Sequence, residues 1–108
     1  MTENVNAFET ILGCVEAFRA FDRDIQLGSI IAFLHICDNE GAPIKNLAHR
    51  CGFSESSMSR YVHSLSLGAA VRPGLVEIVA HPDDRRRRLV FLTAAGANLK
   101  DELRKLII

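Results

Sequence analysis

Residues 43–65 read PIKNLAHRCGFSESSMSRYVHSL, and residues 74–93 read GLVEIVAHPDDRRRRLVFLT, with SLGAAVRP between them. In the first segment Leu47, Ala48 and Cys51 fall at helical spacing, Gly52 stops that run, and Ser54 stands where a second helix needs an N-cap. Met58, Tyr61 or Val62, and Leu65 then supply the apolar face of the second helix, with Phe53 filling the turn. In the second segment residues 75–80 and 88–92 are β-prone and flank His81-Pro82-Asp83-Asp84-Arg85. That pattern predicts a hairpin with a turn longer than two residues and a block of arginines at its tip. A helix-turn-helix over 43–67 followed by a wing over 75–92 is the reading the rest of the chain must fit.

Working outward, residues 5–22 place Phe8, Ile11, Leu12, Val15, Phe18 and Phe21 at three- and four-residue steps, an amphipathic helix. Residues 26–38 are apolar nearly all round, through Leu27, Ile30, Ile31, Phe33, Leu34, Ile36 and Cys37, so this helix is expected at the centre of the core. Gly41 follows it and can take a left-handed conformation. Pro43 and Ile44 are expected to form a short strand before a helix over 45–51, and residues 68–74 a loop. Thr93 is placed to cap a last helix carrying Ala97, Leu99, Leu103, Leu106 and Ile107. The fold class is therefore α+β, mainly α: one winged helix-turn-helix domain over 1–108, with flanking N- and C-terminal helices.

A chain of 108 residues buries one core and not two. No apolar run reaches membrane-spanning length, and no basic cluster opens the chain, so a cytoplasmic protein without membrane partners is expected. Cys14, Cys37 and Cys51 form no CxxC pair, which predicts reduced, largely buried thiols and neither a disulfide framework nor a metal site. The net charge of +0 conceals an asymmetry, since residues 1–40 carry seven acids against two bases, and residues 41–93 carry eight bases against four acids. The basic half is the half with the motif, as expected for a face that meets a polyanion.

A helix that enters a major groove needs short polar side chains near its N-terminus and positive groups at its margins. Ser54, Glu55, Ser56, Ser57, Ser59, Arg60 and His63 supply that set, with Arg60 able to grip guanine through two hydrogen bonds and Lys45 placed for backbone contact. Arg85, Arg86, Arg87 and Arg88 repel one another unless a polyanion is near, and an arginine at a hairpin tip can enter a minor groove. Asp84, two residues before Arg86, can brace that guanidinium.

LAHRCGFSESSMSRYVHSL followed by GLVEIVAHPDDRRRRLVFLTAAG is similar to the MarR family of winged-helix transcriptional regulators. The resemblance covers roughly residues 26–96, and the wing pattern DPDDRR-x-x-LV-x-LT-x-x-G is its most specific part. It implies a homodimer with interlocked terminal helices, a recognition helix in each major groove and a wing arginine in each minor groove. Asp84 and Arg86 match the family's Asp-x-Arg pair, and residues 54–60 match the start of its recognition helix. His81 departs from the usual Asp, the 66–73 segment is longer than usual, and the chain stops at Ile108 where the family has a longer closing helix. The last departure is expected to alter the dimer interface and remove walls of the cleft where family members bind small effectors.

The expectation is a sequence-specific, double-stranded DNA-binding regulator, homodimeric and repressing by occlusion, with a small-molecule effector as a further partner and no cofactor. No nucleophile–base spacing, phosphate-cradling loop or zinc-protease helix is present, which argues against an enzyme. The rival from another class is a winged helix that binds proteins through the same surfaces without touching DNA. His35 and Cys37 sit two apart on a helix and face differently, so they make a poor metal pair. Cys14 is read as structural before it is read as a redox sensor.

Overall fold

A computed structural model describes residues 6–67 and 73–107. Residues 68–72 of the loop expected over 68–74, with Arg72, and the terminal residues 1–5 and 108 lie outside the described residues. The elements in order are α1 (Ala7–Phe21), α2 (Leu27–Asp38), α3 (Ile44–Cys51), α4 (Glu55–Ser66), β1 (Val76–His81), β2 (Asp84–Leu92) and α5 (Ala94–Ile107). Helices thus dominate, and the strands form one antiparallel hairpin.

The core is built where α2, α3 and α4 converge on the wing. Phe33, Ile36, Leu47, Met58, Val62, Leu65 and Val90 are fully buried there. Helix α2 is central as expected, but its outer face is not covered: Leu27 and Leu34 stand exposed. Helix α1 starts at Ala7 because the Asn6 side chain caps it, accepting from the Phe8 and Glu9 amides at 2.9 and 3.4 Å. Of α1, Phe18 alone is fully buried, edge-on to Phe33 with ring centroids 5.6 Å apart. The apolar stripe of α5 divides in the same way, with Leu99 and Leu103 buried and Leu106 and Ile107 exposed.

The turn between α3 and α4 follows the sequence closely. Gly52 adopts φ 75°, a left-handed conformation that costs other residues about 1–2 kcal/mol, and its amide returns to the Ala48 and His49 carbonyls. Ser54 Oγ accepts the Ser57 amide at 3.1 Å and so satisfies one of the free donors opening α4. Ile44 is the first residue of α3 instead of part of a strand; Pro43 alone forms an isolated antiparallel bridge, with Leu89. Proline has no N–H to give, so the pairing is carried by its neighbours: Gly41 donates to the Val90 carbonyl at 2.7 Å, and Val90 donates to Ala42 at 3.1 Å.

The hairpin departs from expectation at its tip. Its turn has two residues, Pro82 and Asp83, and the second strand begins at Asp84, not at Arg88. Val76 to Ala80 pair in register with Leu92 to Arg88, but His81 pairs with Asp84. Arg85, Arg86 and Arg87 therefore have no counterpart on β1 and form a bulge in β2. Side chains hold the backbone of the turn and of the middle of the bulge. His81 Nδ1 accepts the Asp83 amide at 3.0 Å, and Asp84 Oδ1 accepts the Arg86 amide at 3.0 Å. The residues expected in a long turn are present, displaced into the strand.

Wing and helices meet at Leu75. Its amide donates to the Leu65 carbonyl at 2.9 Å and its carbonyl accepts from the Thr93 amide at 3.0 Å. Thr93 Oγ1 donates to the Gly74 carbonyl at 2.6 Å and accepts the Gly96 amide at 3.1 Å, which makes it the cap of α5 as read from sequence. Gly96 approaches so closely that a Cβ there would strike the Leu75 carbonyl oxygen. Gly96→Ala is expected to destabilise the fold by about 1–3 kcal/mol, the usual range for overpacking, read as a lowered urea midpoint with an unchanged slope.

Candidate nucleic-acid interface

The first turn of α3, the N-terminal half of α4 and the bulged end of β2 enclose an open cleft of about 820 Å³. Lys45 and Asn46 come from α3, Glu55, Ser56 and Ser59 from α4, and Asp84, Arg86, Arg87 and Arg88 from β2. Each is outward for a local reason. Leu47 and Ala48 take the buried side of α3, which leaves Lys45 and Asn46 exposed. Met58, Val62 and Leu65 do the same for α4. A second depression, of about 410 Å³, lies further along α4 and is lined by Ser56, Ser59, Arg60, His63, Ile78 and Arg88. Ser56, Ser59 and Arg88 border both, so the serine face of α4 and the arginine strand share a wall.

Four cations line the main cleft, Lys45, Arg86, Arg87 and Arg88, against the carboxylates of Glu55 and Asp84. Asp84 Oδ1 lies 3.7 Å from Arg86 Nε while the Arg86 side chain is 94% exposed. At that exposure the pair adds little stability; its effect is to hold the base of an arginine that otherwise stands in solvent. Arg60 lies against the Tyr61 ring, its guanidinium carbon 5.2 Å from the centroid, and Tyr61 in turn packs against Phe53 at 5.2 Å.

Of the residues singled out from sequence, Lys45, Ser56, Ser59, Arg60, His63, Asp84, Arg86, Arg87 and Arg88 border one or both depressions. Ser54, Ser57 and Arg85 border neither. Ser54 is spent on the cap, Ser57 is half-buried with its amide held by that cap, and Arg85 is exposed in the bulge. Asn46 lines the cleft and was missed, although the inward placement of Leu47, Ala48 and Cys51 already put position 46 outside. Glu55, which the sequence placed in the polar set at the start of the helix without a contact of its own, also lines it.

Compared by sequence, the chain matches no protein-family model and no curated protein. Its structure superposes over 94% of its length on Staphylococcus aureus MepR in a DNA complex, with TM-score 0.75 and 16% identity, spanning 77% of that chain. It superposes over 89% on a MarR transcriptional regulator from Methanosarcina mazei Go1, with TM-score 0.69 and 20% identity. The fold is a MarR-like winged helix. A transcriptional regulator from Thermotoga maritima gives TM-score 0.68 at 18% identity over 91% of the chain. The chain spans 64% of the length of the Methanosarcina and Thermotoga proteins, a little under two thirds.

In this MarR-like frame the cysteines Cys14, Cys37 and Cys51 are free thiols, each partly buried. Cys37 sits beside a shallow crevice between α2 and α5, of about 290 Å³, with Leu34, Lys100, Leu103 and Arg104. Lys100 Nζ donates to the Cys37 carbonyl at 3.0 Å and so serves the C-terminal end of α2. Burial pushes the Cys37 thiol up to about 11, with Lys100 pulling the other way and Asp38 adding to the rise; burial also raises Cys51. Among the described residues no group of three or more His, Cys, Asp or Glu could hold a metal ion, and no helix is long and apolar enough to cross a membrane. Because Cys37 ionises well above the ordinary 9.0, its alkylation by iodoacetamide at pH 8 is expected to run more slowly than that of free cysteine and to rise as pH approaches 11; peptide mapping over a pH series measures this.

Proposed function

We propose that the chain is a sequence-specific, double-stranded DNA-binding transcriptional regulator, homodimeric, cytoplasmic and repressing by occlusion. The observation that carries this reading is the shared cleft, in which the serine face of α4 and the arginine strand open to the same side. Helix α4 enters a major groove, with Ser56, Ser59, Arg60 and His63 toward base edges and Ser54 and Ser57 holding its leading end. Arg86, directed by Asp84, enters the adjoining minor groove, and Lys45, Arg85, Arg87 and Arg88 neutralise phosphates. The regulator resolved with DNA among the structural neighbours supports the assignment.

Pairing of two copies follows from what the fold leaves uncovered. Phe8 is 81% exposed, Ile11 59% and Leu12 58%, all on α1, and Ile107 of α5 is 68% exposed. An apolar face of that kind marks an interaction surface. Two-fold pairing through α1 and α5 sets two recognition helices against successive turns of a palindromic site, about 34–36 Å apart. The crevice beside Cys37, where Lys100 and Arg104 outnumber the one carboxylate of Asp38 over apolar walls, would receive a small acidic effector. A neighbour from Bordetella bronchiseptica, BpsR, has its DNA binding regulated by 6-hydroxynicotinic acid.

A salt titration on duplex DNA tests the reading. Log affinity should fall linearly with log salt, Arg86→Ala should weaken binding to every sequence and reduce the slope by about 1, and Arg60→Ala should also relax base preference by roughly tenfold. A protein-binding module would give no such slope. The dimer is tested separately: Ile11→Asp with Leu12→Asp is expected to convert a dimeric mass to a monomeric one in light scattering, with the helical signal of α2 to α4 retained.

A further inference from the structure

The two carboxylates of the main cleft are differently engaged. Asp84 is committed to Arg86 through its amide and its guanidinium. Glu55 is exposed in the first turn of α4 and, among the described residues, enters no ion pair with the cations that line the same cleft. An unpaired carboxylate at the leading end of a helix, among side chains that attract phosphate, works against non-specific affinity. It repels phosphate and can only accept hydrogen bonds.

In a major groove the donors it can meet are the amino groups of cytosine and adenine, whereas guanine and thymine present acceptors. Adenine sets its N7 acceptor beside its amino group and repels a carboxylate there; cytosine does not. We propose that Glu55 is a specificity-determining residue that accepts from a cytosine amino group and penalises every other base at that position. The inference rests on the DNA-binding reading above and adds to it a base, a residue and a sign. Ser56 and Ser59 can donate or accept and discriminate weakly, and Arg60 favours guanine, so Glu55 supplies a selection that its neighbours do not.

The full chain and its Glu55→Gln and Glu55→Ala variants are each used to select binding sites from randomised duplexes, and each is titrated on a duplex of random sequence. Thermal midpoints are recorded alongside. The parent should enrich cytosine at one position per recognition helix. Glu55→Gln should bind random duplex several-fold more tightly, because a repulsive charge is gone, and should lose about tenfold preference for cytosine at that position, moving towards adenine. Glu55→Ala should flatten the position. If both variants select the parent's sites with the parent's preference, the proposal is overturned, whatever happens to overall affinity. If the parent itself binds no duplex at any salt concentration, the DNA-binding reading falls and this one with it; the two failures are therefore distinct.

Discussion

The geometry of the site depends on the backbone of Leu75. Through one amide and one carbonyl this residue ties the last turn of α4, the foot of the wing and the first turn of α5 together. Its side chain is buried, as is that of Val76, the residue on which β1 begins. The angle between α4 and the hairpin is thus held by hydrogen bonds shielded by the core, not by contacts between the polar surfaces themselves. Those surfaces are left free to be chosen for what they touch. The close approach of Gly96 and the Thr93 hydroxyl complete the joint from the other side.

The cleft is electrostatically unfinished. Arg86, Arg87 and Arg88 crowd one segment, and the carboxylates lining the same space are Glu55 and Asp84. Among the described residues, the acids of the first forty do not line it. Such a surface stores repulsion that a polyanion relieves, and the buried apolar core carries the stability that tolerates it. Helix α1 shows the same economy in apolar terms, since it is anchored chiefly by Phe18 against Phe33 and leaves Phe8, Ile11, Leu12 and Val15 uncovered.

Most of this fold could be read from residue patterns because the signals were local. Gly52, Ser54 and Thr93 each marked a helix end, and each performs there the hydrogen bonding that its chemistry favours. The misreadings all concern pairing between distant segments. The bulge at Arg85, Arg86 and Arg87 depends on which β1 residue faces which on β2, a relation that composition does not encode. Pro43 bridges Leu89 while Ile44 turns into a helix, and Leu27 and Leu34 on α2 remain exposed although their helix is central. At the site, charge and motif pointed to the arginines and serines. The place of Asn46 in the cleft appeared once α3, α4 and β2 had been set side by side.

The bulge in β2 has a mechanical consequence. Five consecutive residues on β1, Val76 to Ala80, keep their ladder with β2, while Arg85, Arg86 and Arg87 sit outside it. The basic segment is thereby uncoupled from the register that anchors the hairpin. A residue gained or lost there changes the reach of the tip without turning Val76 or Val90 out of the core, whereas the same change inside the ladder would invert every side chain beyond it. This stretch behaves as an adjustable fitting on a rigid bracket, and divergence in what the chain contacts can accumulate there at little expense to the fold.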